Sequence, residues 1–482
     1  MAKKDRQRKD QARPAPPVER WPARVLEFLD RYAAAIAVAL VVVGSLRIVS
    51  TYTVFNHTID EPAHLACGME WLDKKVYRYE EQHPPLARVA AALGPYLDGA
   101  HTQGRPWLYN EGAAILYYRN RYDRTLSLAR LGILPFFWLA STVVFLWTRR
   151  CFGKPAGVAA LLLFTSLPPV LAHAGLATTD MALAATLGAA FLALLEWLDR
   201  PGVMRTLWLG AALGLMALSK FSSLAFFPAA LLVLAACRLK QRRPALSEIR
   251  GYALPALGAL VLALALLWAG YRFSFGKTPF SDLSLPAPEI YRGIQTVIDH
   301  NRGGHPGYLL GEYSEHGWWV YYLVALAVKT PLPFLALLGV GLFFKRDIGL
   351  IAFVAGILLV AVFSRINIGI RHVLPVYIAL AAIAGAGAID LVRRGGWPAR
   401  AGAALLLVLA ATSALSHPDY LAYFNALAGS EPEKILVDSD LDWGQDMKRL
   451  GQRLREVGAR EVYFNPFIVA HLEAVHGFPP IK

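Results

Sequence analysis

Cysteine and charge are both scarce in this chain. Only Cys67, Cys151 and Cys237 occur, too few and too scattered for a disulfide framework or a zinc cluster. Charged residues make up 17% of the 482 positions, while 56% are hydrophobic; a soluble domain sits near about 45–50% apolar. There is no internal repeat and no low-complexity array. No His-Glu-x-x-His motif is present, which removes the usual zinc-protease signature. The long apolar runs have almost no charge in their middles. A secondary transporter, which tends to keep ionisable groups near the bilayer midplane, is disfavoured on that ground.

What the chain has instead is a series of apolar runs, each of about 20 residues, the length needed to cross a bilayer as helix. Spans are expected at 33–50, 127–148, 155–175, 180–198, 206–219, 222–237, 251–271, 318–344, 348–364, 372–391 and 401–416. The net charge of +14 does not indicate nucleic acid, because the basic residues cluster in short loops between these runs. Arg149-Arg150, Lys154, Arg200, Arg205, the 238–250 loop, Lys345-Arg346 and the 393–400 loop all fall on one side, the cytoplasmic side by the positive-inside rule.

The fold expected is therefore an all-α polytopic membrane protein with about eleven spans. A basic cytoplasmic segment at 1–31, including Lys3, Lys4, Arg6, Arg8, Lys9 and Arg13, precedes a transmembrane domain at 32–416. No small-residue cleavage site follows the first run, which reads as an uncleaved signal anchor. Long connections at 51–126 and 272–317 lie on the outer face, and Pro85–Leu97 is expected to form a helix on the membrane surface. Residues 417–482 form a small α/β tail, with strands at 434–437 and 461–464 around a helix at 446–457. Eleven spans put this tail outside.

The chemistry-bearing residues collect on the outer face. Asp60-Glu61 follows the first span, and a carboxylate there can act as general base on an acceptor hydroxyl. The bland reading is a helix-end cap. Glu61 and His64 stand at Glu-x-x-His spacing, and with His83 they could supply three metal ligands, which leaves a divalent cation open as a cofactor. His83-Pro84-Pro85 reads as an extended turn entering a helix, with His83 and Arg88 within reach of a phosphate. Asp180, after Thr178-Thr179, is equally a helix cap and a substrate contact. Lys220, Arg365, Arg371 and His372 lie in short turns between spans, where cations can bind a phosphate leaving group or snorkel to lipid head groups. The turn Asp438-Ser439-Asp440-Leu441-Asp442-Trp443-Gly444 fails as a calcium loop. Its glycine comes one position late, and Arg449 stands where a glutamate is needed, so a solvated or helix-capping acidic turn is the expectation. Tyr420, Tyr423 and Trp443 read as interfacial aromatics.

Together these residues resemble the phospholipid-carrier-dependent glycosyltransferases of the GT-C fold, in particular the protein O-mannosyltransferase and lipid A aminoarabinose transferase group (glycosyltransferase families 39 and 83). The matching points are Asp60-Glu61 in a long first outer loop, His83-Pro84-Pro85, Ala177-Thr178-Thr179-Asp180-Met181, Ser219-Lys220 and Arg371-His372-Val373-Leu374-Pro375. The resemblance covers residues 25–415, and the tail identifies no acceptor. It implies a cell-envelope enzyme that transfers a hexose or pentose from a polyprenyl-phosphate donor to a hydroxyl of a lipid, glycan or protein, with inversion. It also implies roles. Asp60 is the general base and Glu61 orients the acceptor or tunes Asp60. Lys220, Arg371, Arg365 and Arg88 hold the donor phosphate. His64, His83, Asp180 and His372 contact sugar or acceptor. The word "sugar" comes from the resemblance alone. The rival class is a transporter or flippase of a lipid-linked substrate.

Overall fold

The computed structural model describes residues 21–242, 245–465 and 467–482, with backbone only at 246–249 and 281. The basic residues expected at the start of the chain, Lys3 to Arg13, lie outside the described residues. The molecule is built from helices. Among the described residues, six are long and apolar enough to cross a membrane, and three further pairs would each cross as one bent span. Val203–Ala217 and Ile348–Phe363 are apolar but shorter. All the expected spans fall on these helices, yet not as straight rods. The expected span 318–344 is two helices, Tyr321–Lys329 and Leu332–Phe344, meeting at 113°. The cause is Thr330-Pro331-Leu332-Pro333: a proline removes an N–H and disfavours helix in the residue before it. Pro168-Pro169 bends the 155–175 run by 69° in the same way.

Small residues let these helices approach closely, which is how helices associate where lipid removes the hydrophobic drive between them. Gly210 and Gly214, one turn apart, let Val203–Ala217 pack on Leu246–Gly270; a Cβ at Gly210 would stand 2.7 Å from the Ala259 carbonyl oxygen. Helix Val376–Arg394 is buried almost all round, and its Gly385 meets the backbone of Ala160.

The first long connection carries helices Asp60–Asp73, Pro85–Leu97 and Leu108–Leu116. Pro85–Leu97 has the bounds expected, but Arg88 points inward and is buried. The second long connection holds two antiparallel hairpins, Phe275–Thr278 with Ser281–Pro286 and Gly307–Leu309 with Glu312–Ser314, on either side of helix Pro288–Gly303. In the tail, helix Met447–Glu456 forms as expected, but residues 434–437 are not a strand. Pro432 starts a single 3-10 turn there instead, and Ile435 accepts one hydrogen bond from the Leu310 N–H. Strand pairing near 461–464 is reduced to one bridge, Val462 with Ile481.

Helix Asp60–Asp73 is wedged between its neighbours through glycines. A Cβ at Gly68 would lie 1.9 Å from the Arg88 carbonyl oxygen, and one at Gly112 would lie 1.9 Å from that of Pro62. Backbone cannot yield as a flexible side chain does. Gly68→Ala is expected to destabilise the protein by about 1–3 kcal/mol through overpacking, read as a lowered unfolding midpoint in detergent. Gly303→Ala, at the end of helix Pro288–Gly303 where a Cβ meets nothing within 4 Å, is the control and should change far less.

Candidate active site

Helix Asp60–Asp73 starts with both carboxylates in its first turn, where the helix dipole favours negative charge. Successive helical residues are rotated by about 100°, so the two cannot face the same way. Glu61 turns into the protein, only 1% exposed. Its two oxygens accept from Arg130 Nε and Nη2, each at 2.8 Å. They also accept from the backbone N–H groups of Thr58 at 2.8 Å and Ala177 at 2.9 Å. Burial would raise the Glu61 carboxyl, but the Arg130 guanidinium and these donors outweigh it and hold it below the ordinary carboxylate range.

Asp60 faces a cavity of ≈ 280 Å³, close to the lower end of small-molecule sites at about 300 Å³. Six parts of the chain form its walls: helix Asp60–Asp73, the 80–88 turn, the start of helix Leu108–Leu116, the Lys220 turn, helix Pro288–Gly303 with His305, and the 366–372 segment. Asp60 Oδ2 accepts from Arg371 Nη1 at 3.0 Å. Arg371 Nε donates to the Ile368 carbonyl at 3.0 Å, and its guanidinium carbon lies 4.0 Å from the Trp443 ring centre. Nη2 of Arg371 makes no hydrogen bond among the described residues. A second pair stands behind the first: Lys220 Nζ donates to Asp180 Oδ1 at 2.6 Å.

Arg88 reaches the cavity as a buried hub. It pairs with the Glu80 carboxylate and donates to the Tyr77 hydroxyl at 2.8 Å and to His64 Nδ1 at 3.1 Å. His83 Nδ1 lies 3.2 Å from Arg88 Nη2, and the rings of His64 and His83 meet edge to face at 5.3 Å. Burial, followed by the Arg88 charge, pushes His64 well below the usual histidine range. Burial lowers His83 as well, against the upward pull of Glu80. Both rings are therefore neutral at pH 7. Burial works to raise Glu80, but Arg88 and His83 hold it far down.

Of the residues expected from sequence, Asp60, His64, His83, Arg88, Lys220, Arg371 and His372 line this one cavity. Three do not. Glu61 is committed to Arg130. Asp180 sits behind Lys220 and caps nothing, since Thr179 holds the cap position and no side-chain cap bond forms. Arg365 is exposed and donates to the Arg302 carbonyl at 3.3 Å, away from the cavity. Glu61, His64 and His83 are not brought together as ligands: Glu61 faces Arg130 while the two histidines face Arg88. Among the described residues, no three His, Cys, Asp or Glu side chains gather in a metal-holding arrangement.

Other contributors were missed. Tyr109, Gln82, His300 and His305 also line the cavity, and His300 and His305 are linked at 3.1 Å. Lys329, at the 113° bend, is buried and donates to the carbonyls of Leu421 and Asp440. The 438–444 turn is solvated only in part: Asp438 and Asp442 are exposed, whereas Asp440 and Trp443 are 0% and 2% exposed.

Because the folded Glu61 is depressed, the stability it contributes is complete above the ordinary carboxylate range. It is lost as pH falls through the depressed value. Glu61→Gln should therefore remove part of the acid-side loss of stability in a pH series of unfolding midpoints. Arg130→Met, which strands a buried carboxylate, should cost about 3–5 kcal/mol at pH 7, read by unfolding in detergent.

Residues 127–269 match the family model described as dolichyl-phosphate-mannose-protein mannosyltransferase. That stretch contains Asp180 and Lys220; Asp60 and Arg371 lie outside it. The comparison with curated proteins returned no match. Among solved structures, ArnT from Cupriavidus metallidurans bound to undecaprenyl phosphate superposes with a TM-score of 0.55 at 14% identity, covering 92% of this chain and 85% of that one. The same ArnT in the apo state gives 0.55 at 14% identity, over 92% and 84%. The oligosaccharyltransferase of Archaeoglobus fulgidus in the apo form gives 0.46 at 16% identity, over 91% and 58%, too low a score to add to the argument. The chain has the GT-C fold seen in ArnT, and a stretch of less than a third of it is similar to the protein mannosyltransferase family.

Proposed function

We propose that this protein moves a sugar from a polyprenyl-phosphate donor to an acceptor hydroxyl, with Asp60 as general base and with Arg371 and Lys220 receiving the phosphate. The observation that carries the reading is the Asp60–Arg371 pair at the wall of a sugar-sized cavity. The undecaprenyl phosphate bound to ArnT supports the donor class. The basic loops Arg149-Arg150 and Arg393-Arg394 lie at helix ends remote in sequence from the cavity segments, which supports an active site on the extracytoplasmic face.

The chemistry follows from the charges. A donor phosphate at Arg371 Nη2 competes with Asp60 for the guanidinium and releases the carboxylate to an acceptor hydroxyl. Asp60 takes the hydroxyl proton as the oxygen attacks the anomeric carbon. The bond from that carbon to the phosphate oxygen breaks, and its electron pair stays with the phosphate. Arg371 and Lys220 stabilise the charge that develops there. Glu80, the other carboxylate at the cavity, is held by Arg88 and so is a poor nucleophile. One available carboxylate fits a single displacement with inversion, since retention calls for a carboxylate nucleophile. The neutral His64 and His83 can orient sugar hydroxyls without adding charge. Glu61 acts at one remove, by fixing the helix that carries Asp60.

Asp60→Asn should lower kcat by about 10²–10⁴-fold, the range for a lost general base, with little change in donor KM. The assay follows labelled polyprenyl-phosphate sugars with a membrane extract as acceptor source. Arg371→Lys keeps the charge but loses the fork, and should weaken both kcat and binding of polyprenyl phosphate. Arg365→Ala should stay within about twofold of the parent, because its side chain is exposed and bonds the Arg302 carbonyl rather than lining the cavity. Full turnover by Asp60→Asn would remove Asp60 from the mechanism.

A further inference from the structure

The tail packs against the site through one turn, and that turn touches both members of the Asp60–Arg371 pair. On one side, the Ile59 N–H donates to the Trp443 carbonyl at 3.0 Å, directly before Asp60. Asn56 is held by the same segment: its N–H donates to the Gln445 carbonyl at 3.1 Å, its Nδ2 to the Gly444 carbonyl at 2.6 Å, and its Oδ1 accepts from the Lys448 N–H at 3.2 Å. On the other side, Asp440 Oδ1 accepts from the Ile370 N–H at 3.0 Å, directly before Arg371. Ser439 Oγ donates to the Ile368 carbonyl at 2.9 Å, the carbonyl that also accepts from Arg371 Nε. Gly369 has φ of +82°, and a Cβ there would meet Ser439 Oγ at 2.8 Å, so the turn sits tight on this loop. Between the two attachments, the buried Trp443 ring lies under the Arg371 guanidinium at 4.0 Å.

We infer that the 439–445 turn is a positioning device for the transfer step: Asp440 fixes the backbone that carries Arg371, and the face of Trp443 holds its guanidinium flat, with Nη2 left for the donor phosphate. The inference rests on the transfer reading given above. Neither residue touches the reacting atoms. Trp443 acts through Arg371. A cation on an aromatic face is attracted by the ring quadrupole and is confined to the plane above it. An aliphatic side chain of similar bulk fills the space but exerts no such hold. The ring also shields Arg371 from water, which strengthens its interaction with a phosphate.

The test compares Trp443→Leu with Trp443→Phe in the full-length protein in nanodiscs. Leucine keeps apolar bulk and phenylalanine keeps an aromatic face, so the contrast does not depend on either variant matching the parent's stability. Three quantities are read: kcat for sugar transfer, affinity for polyprenyl phosphate, and affinity for the uncharged polyprenyl alcohol. Trp443→Leu is expected to lose about tenfold in kcat and in polyprenyl-phosphate affinity, while alcohol affinity is unchanged and Trp443→Phe stays within about threefold throughout, as cation–π strengths allow. Equal behaviour of the two variants, or parallel loss of phosphate and alcohol binding, overturns the positioning role and leaves the transfer reading intact. A parent protein that neither transfers sugar nor binds polyprenyl phosphate overturns the transfer reading and this inference with it.

Discussion

The buried pair of Glu61 and Arg130 is the constraint from which the rest of the site takes its geometry. Two adjacent carboxylates at a helix start would repel each other if both faced one cavity. The fold avoids this by sending Glu61 into the protein, where a bidentate guanidinium and two backbone N–H groups satisfy it. Arg130 also donates to the carbonyls of Tyr52 and Asn56, so one side chain gathers the end of the first span, the loop after it and the start of the next helix. Asp60 is left with one direction to face. A buried ion pair of this kind adds little net stability, because desolvation offsets most of the Coulomb gain. Its value here is the register it imposes on a neighbour.

The cavity is charged on every side yet nearly neutral in sum. Arg371 faces Asp60, Lys220 faces Asp180, and Arg88 faces Glu80. Only the first pair exchanges partners in the mechanism proposed above. Asp60 is the most exposed of the three carboxylates, at 28% for its side chain against 23% for Glu80, whereas Asp180 is 1% exposed and locked. Arg88 has its donors distributed over Glu80, Tyr77 and His64 and serves as a scaffold. Preorganised charge of this kind costs no reorganisation when a transition state forms.

Much of the site was legible because ionisable residues at the ends of apolar runs are costly and rarely idle. That argument found Asp60, Lys220 and Arg371. It failed where rotation about an axis decides the outcome. Glu61 is one residue from Asp60, and Arg365 shares a short loop with Arg371, but spacing alone does not say which member of each pair points into the cavity. For Glu61 a signal did exist: Thr58-x-x-Glu61 has capping-box spacing, and the glutamate does reach back to the Thr58 N–H. Lys329 had one too, as a lone cation just before a proline break in an apolar run. Asp440 and Trp443 had none, because their partners lie about 70 and several hundred residues away in sequence, and nothing local in Asp438–Gly444 records such distant contacts. The strand expected at 434–437 failed for a related reason: three apolar residues after Lys434 have no partner strand to pair with among the described residues.

The tail's attachment also bears on how the protein is made. A chain emerging from the ribosome delivers its N-terminal parts first. The loop that carries Asp60 is therefore in place long before the 366–372 segment arrives, and Trp443 and Gln445 come later still. The hydrogen bonds from Asn56 and Ile59 wait for partners nearly four hundred residues downstream. Until those partners are synthesised and carried to the same side of the helix bundle, the backbone before Asp60 lacks these partners, and Asp60 and Arg371 have no common support. These contacts can therefore form only after residue 445 has been synthesised. The growing chain passes through a long interval in which the lipid-embedded helices can assemble while the site itself is still open.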